Sequence, residues 1–155
     1  MDPIFKKLNF KAQKDVLVIN APDSFRENIE AMADLTNVHT DSKALKSISF
    51  ILAFVTKQSD IDKLISELYR RLEGDAMVWF SYPKSTSKKY TCDFNRDTGW
   101  QAMGEHGMEA VRMVAIDKDW SVIRFRKVEY IKKMKRRESF ALSKEGKKKA
   151  EQKGK

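Results

Sequence analysis

Two short segments hold the groups best suited to binding an anion. The first, Asn20-Ala21-Pro22-Asp23-Ser24, follows an apolar run and leads into a helical pattern. Backbone N–H groups at such a strand-to-helix turn can hold a phosphate or a carboxylate. The segment lacks the glycines of G-x-G-x-x-G and of the P-loop, which let a backbone close on a phosphate, and Pro22 removes one donor. Ser24, with Glu27 three residues on, also has the spacing of a capping box, which would commit its hydroxyl to the helix it precedes. The second segment is Tyr82-Pro83-Lys84-Ser85-Thr86-Ser87-Lys88-Lys89-Tyr90. Its lysines can neutralise an anion, its hydroxyls can hydrogen-bond to one, and its tyrosines can stack on a ring. The candidate ligand-binding residues from these loops are Asp23, Ser24, Lys84, Ser85, Lys88 and Lys89.

Other chemistries have less support. Cys92 lies near Lys88, Lys89 and Arg96, and cationic neighbours favour the thiolate. Nucleophilic catalysis also needs a base, and the two histidines, His39 and His106, stand at no diagnostic spacing to it. The same scarcity of ligands argues against a zinc site. Asp117 and Asp119 bracket a short turn, where Asp is favoured for its local hydrogen bonds. No catalytic residue, metal or cofactor is assigned from these residues.

The elements that position the loops are legible as apolar runs. Val16–Ile19, Ile48–Val55 and Ala76–Phe80 are continuous enough to be strands buried on both faces. A short strand is expected around Val38. Helices are expected from Phe25 to about Ala33, from Ser59 or Asp60 to Leu72 with Gly74 ending it, and over 97–107 around Trp100, Met103 and His106. Val111–Ile116 and Trp120–Phe125 form a hairpin about Asp117-Lys118-Asp119. Residues 1–14 read as a leader lying across the body through Ile4, Phe5, Leu8 and Phe10. Strands alternating with helices predict an α/β fold: a small Rossmann-like three-layer sandwich, mainly parallel, with a C-terminal antiparallel hairpin strand.

Composition bounds the function. The chain has 155 residues, 41% hydrophobic and 34% charged, enough for one domain with one core. Its formal charge of +9 is uneven. Residues 131–155 carry eleven Lys and Arg against three Glu, a net +8, whereas residues 1–130 carry twenty against nineteen, a net +1. The expected organisation is a domain over 1–130 and a basic extension over 131–155, with a basic helix starting through Val128, Ile131 and Met134. Such an extension can bind polyanions through Lys132–Lys155 by counterion release. A single cysteine, no signal-type apolar segment and no run long enough to cross a bilayer suggest a cytoplasmic protein and no membrane partner.

Trp79-Phe80-Ser81-Tyr82-Pro83-Lys84 and Asp117-Lys118-Asp119-Trp120-Ser121-Val122-Ile123-Arg124-Phe125 resemble the W-x-x-x-P-K strand end and D-x-x-W-S-x-x-R hairpin of a bacterial family of small proteins of unknown function. The resemblance covers about residues 15–127. It implies a compact Rossmann-like domain, similar in outline to a pared-down methyltransferase fold, and no particular reaction. It departs from the family at Ala21-Pro22-Asp23, where a glycine is often found. It adds Trp120 and Arg124 to the candidate site, with Ser121 beside them, Trp120 packing the sheet and Lys84 and Arg124 facing a shared anion. The leading expectation is a non-enzymatic or vestigial module for a small anion or a protein partner. A small methyltransferase-like enzyme, with Asp41 as the acidic partner of a ribose, is the alternative, and polyanion association through the tail is the third.

Overall fold

The computed structural model describes residues 1–95 and 97–131. In chain order the elements are α1 (Pro3–Lys7), β1 (Asp15–Ile19), α2 (Arg26–Glu30), β2 (Asn37–His39), β3 (Ile48–Phe54), α3 (Gln58–Leu68), β4 (Leu72–Pro83), α4 (Gln101–Glu105), β5 (Met108–Ala115) and β6 (Trp120–Lys127). The strands form one sheet in the order β2-β1-β3-β4-β6-β5. The first four are mutually parallel, and β6 is inserted antiparallel between β4 and β5. This is the expected mixed α/β architecture, with the leader folded as a short helix.

Side chains alternate between two cores, as the period of a strand requires. On one face Leu17, Ile51, Val78, Phe80, Ile123 and Phe125 pack under α3 and α4, which contribute Ile61, Leu64, Ile65, Leu68 and Met103. On the other, Val16, Val18, Phe50, Leu52, Trp79 and Val122 pack under Phe5, Leu8 and Phe10 of the leader and Phe25 and Met32 around α2. Asp2 secures the leader. Its Oδ2 accepts from the N–H groups of Ile4 and Phe5 at 2.9 and 3.1 Å, and Asn28 Nδ2 donates to its Oδ1 at 2.9 Å. Asp2→Ala removes this cap and the tie to α2, a loss of about 1–2 kcal/mol, measurable as a lower urea midpoint.

Three local expectations are corrected. Ser24 is not a cap: Asp23–Phe25 winds into a 3-10 turn, which places Ser24 inside the turn and exposed, and α2 spans only Arg26–Glu30. The helix after β3 stops at Leu68, and Leu72 already opens β4. Gly74 does not end a helix; with φ of +56° it lies in the irregular stretch where the β3–β4 register jumps from Ile48↔Leu72 to Phe50↔Met77. The helix expected past Val128 and Ile131 falls mostly outside the described residues, which end in a 3-10 turn over Val128–Tyr130 followed by Ile131.

Candidate functional site

From β1 the chain steps out to β2, then crosses back so that β3 lands on the other side of β1. A reversal of this kind opens a crevice outside the carboxyl ends of the strands, where open α/β sheets bind ligands. At the tip of β1, Asn20 adopts φ of +56°, a left-handed conformation that Asn tolerates better than most residues with a Cβ. It makes the turn that a glycine often makes.

Two clefts of about 470 Å³ flank this tip and share Asn20 and Thr40. One lies on the α2 side and includes Pro22, Asp23 and Arg26. Asp23 is exposed and forms a long, solvent-facing ion pair with Arg26 at 3.5 Å. The other lies on the α3 side, with Ile19, Asp41, Ser42, Lys63, Leu64 and Glu67 on its walls. Asp41 follows β2, and its Oδ1 accepts from the Lys43 N–H at 2.9 Å. The start of α3 is already satisfied by carboxylates: Asp60 accepts from the Lys57 N–H at 3.3 Å, and Asp93 from the Gln58 N–H at 2.7 Å.

A third, larger cavity of about 730 Å³ opens beyond the carboxyl end of β4. Lys84, Ser85, Thr86 and Ser87 form one side, and Tyr82, Phe94, Met113 and Ser121 contribute to the rest. The loop is held in place by Ser87, whose hydroxyl donates to Asp119 Oδ1 at 2.8 Å, and by the Lys84 N–H, which donates to the Asp119 carbonyl at 2.7 Å. Cys92 borders the same cavity, and its thiol donates to the Phe94 carbonyl at 2.8 Å. β1 and β4 are separated by β3 alone, so the two sets of clefts stand roughly 10 Å apart along the sheet edge.

The structure therefore divides the candidate residues. Lys84 and Ser85 line the large cavity, and Asp23 a small cleft, whereas Ser24 lines none of the three. Lys88 and Lys89 are exposed outside the cavity, with the Lys89 ammonium 5.5 Å from the Tyr90 ring centroid. Trp120 is core, its ring 5.1 Å from Phe54 and 4.8 Å from Tyr90. Arg124 lies away from Lys84 and outside the large cavity. It pairs with Trp79 in mid-sheet, four residues along β6 from Trp120, which pairs with Pro83. Burial holds its guanidinium below the usual arginine value, with Arg126 and Arg112 pushing the same way and Asp75 opposing. At the far end of β1, a hydrogen bond from His39 at 2.9 Å, helped by Asn37, holds Asp15 below the usual carboxylate range.

Sequence reasoning missed Thr40, Lys63 and Glu67 on the small clefts and Met113 on the large one. Asp60, Lys63 and Glu67 recur at three- and four-residue steps, which puts them on one flank of α3, so the helical period carried that signal. Among the described residues no group of three His, Cys, Asp or Glu is placed to hold a metal ion. No helix among them is long and apolar enough to cross a membrane.

A mainly parallel sheet with one reversal at β1 and a single antiparallel strand inserted near its edge defines a Rossmann-like α/β domain of the kind found in methyltransferases. No protein-family model and no curated protein sequence matches the chain; its likeness is to solved structures. An SAM-dependent methyltransferase from Aquifex aeolicus superposes with a TM-score of 0.57 over 80% of this chain and 87% of its own, at 15% identity. The N-methyltransferase NodS from Bradyrhizobium japonicum gives 0.51 over 80% of this chain and 91% of its own, at 12% identity. The pyocyanin biosynthetic protein PhzM also gives 0.51, at 11% identity, over 80% of this chain and 53% of its own. At these identities the likeness establishes the fold.

Proposed function

We propose that this chain is a small methyltransferase-like enzyme that holds an adenosyl cofactor at the β1–β2 tip. The observation that carries this reading is the place of Asp41, a carboxylate just past β2 on the wall of the crevice made by the chain reversal. A carboxylate there, about 20 residues beyond the end of the first strand, is suited to accept hydrogen bonds from ribose hydroxyls. Its Oδ1 takes the Lys43 N–H at 2.9 Å and its backbone carbonyl the Ala44 N–H at 2.9 Å, which leaves Oδ2 open toward the cleft among the described residues. Ile19 and Leu64 supply apolar wall for a base, and Lys63 a cation for a carboxylate. The β1 loop fits this group less closely, since Pro22 has no N–H and Asp23 adds negative charge.

S-adenosylmethionine, when bound, supplies a methyl group on a sulfonium sulfur. The chain's own part is to hold an acceptor at the cavity beyond β4. There Lys84 would orient an anionic group and the Ser85 and Thr86 hydroxyls its polar edge, while Tyr82 and Phe94 exclude water. Thermal shift with S-adenosylmethionine and S-adenosylhomocysteine tests the reading. Ligand at 100 times its Kd stabilises by about 2.7 kcal/mol, a rise of roughly 5–10 °C for a chain of this size. Asp41→Ala is expected to abolish most of that rise while leaving the ligand-free melting temperature within about 2 °C, because Asp41 is exposed. No rise in the wild-type protein with either compound overturns the proposal.

A non-catalytic binding module is the second reading, and the observation on its side is the same β1 loop without glycine. Under it the Lys84 cavity binds a small anion and no methyl transfer follows. Ligand-induced stabilisation by an anion, with no shift from either adenosyl compound, would select it.

A further inference from the structure

Arg112, Arg124 and Arg126 lie on one face of the β5–β6 hairpin. The ladder pairs Arg112 directly with Arg124, and Arg126 follows two residues later, so all three side chains project to the same side. Arg126 is committed: its Nε donates to both oxygens of Asp75 at 2.9 and 3.1 Å, and Nη2 donates to Oδ2 at 2.7 Å. Asp75 is thereby largely used. Glu109, opposite Arg126 in the ladder, is buried and has interactions of its own.

Arg124 is in a different position. It is partly buried, its Nε has no acceptor among the described residues, and the same holds for Nε1 of its cross-strand neighbour Trp79, which is fully buried. Buried donors are nearly always paired, and of these two only Arg124 is partly exposed, so its guanidinium is the group that an acceptor from outside can reach. The like charges of Arg112 and Arg126 favour a negative acceptor. Arg112 is exposed at the open end of the row.

We propose that this arginine face docks the phosphate backbone of a nucleic-acid duplex, with Arg112 and Arg124 as the phosphate contacts and Arg126 as a positioning residue locked by Asp75. The cations are spread along the hairpin, about 5 Å apart across the ladder and about 7 Å along β6. None of them lines any of the three clefts that could enclose a small free anion. A row outside these clefts, exposed at Arg112 and partly exposed at Arg124 and Arg126, suits a repeated, rod-like charge. The sequence that continues from β6 has the same sign, with a net +8 over residues 131–155. Phosphate contacts of this kind fix position without reading bases, so binding is expected to be indifferent to sequence. The inference is independent of the adenosyl site.

The test is fluorescence anisotropy of the full chain with a short labelled DNA duplex, from about 50 to 200 mM salt. Each lost phosphate contact makes the slope of log K against log salt shallower by about 0.9. Arg112→Ala should therefore flatten it by about 0.9 and Arg112→Ala/Arg124→Ala by about 1.8. Arg124→Lys keeps the charge and should keep the slope, which separates charge from any loss of packing; the exposed Arg112→Ala gives an answer even if Arg124→Ala folds poorly. The proposal is overturned by a wild-type slope in Arg112→Ala and the double variant. It is equally overturned if the full chain shows no salt-dependent binding, or if a chain ending at Ile131 loses all of it while the arginine variants lose none.

Discussion

Gly99→Ala is expected to lower the melting temperature by roughly 6–12 °C, the loss of about 3 kcal/mol from backbone strain and overpacking together. Gly99 adopts φ of +89°, and a Cβ built there would lie 2.6 Å from the Cβ of Phe94. That atom is fixed to the Phe94 backbone, so the collision cannot be relieved by swinging a side chain. Phe94 is buried, with its ring 5.1 Å from Trp100, and Trp100 Nε1 donates to the Asn95 carbonyl at 2.9 Å. Phe94 also walls the large cavity. The substitution should therefore loosen the cavity together with the core, and a ligand that fills the cavity should bind the variant more weakly. A drop smaller than about 2 °C would show that Gly99 is not held against Phe94 as described.

The sheet was legible because β1, β3 and the second half of β4 are nearly all apolar. Val16–Ile19 and Ile48–Val55 can only be buried on both faces, and that demand calls for helices on each side. The hairpin was legible for a local reason: Asp117 accepts from the N–H groups of Asp119 and Trp120 at 2.8 and 3.0 Å, within three residues. Boundaries were less legible where two patterns overlapped. Leu72 continues the helical spacing of Leu64, Ile65 and Leu68, yet it belongs to β4, and only the pairing Ile48↔Leu72 decides this. Ser24 has a capping spacing, but burying Phe25 sets the turn, and the hydroxyl is left outside it.

The functional surfaces depended most on register. A net charge of +9 suggested polyanions, and nearly all of it lies in the last 25 residues. The body carries only +1, yet it places three arginines on one hairpin face. Sequence spacing alone could align Arg124 with Arg126. Aligning Arg112 with them requires the hairpin register, which runs unbroken from Ala115↔Ser121 to Arg112↔Arg124 and breaks only beyond it, between Ala110 and Arg112. Likewise Lys84 directly follows β4, which pairs with the β6 strand of Arg124, but the antiparallel register sends the two apart.

Phe5→Ala should cost about 3–5 kcal/mol, a large part of the stability of a domain this size. Phe5 is fully buried, and its ring centroid lies 5.8, 6.0 and 6.4 Å from those of Phe25, Phe50 and Phe10. The leader thus closes the second core over β3. α2 is only five residues long and has no fully buried side chain of its own, so it cannot cover that face without the leader. Removing the Phe5 ring leaves a hole between three aromatic rings, and the short α1, held by Asp2, has little else to keep it docked. Leu8 and Phe10 would be expected to loosen with it. The expected readout is a fall in melting temperature of roughly 10–15 °C with faster amide exchange across β3. Phe5→Leu, which keeps most of the volume, should cost less than about 1.5 kcal/mol and serves as the folded comparison. Equal stability of Phe5→Ala and wild type would mean the leader is a surface attachment, and β3 would then need another cover.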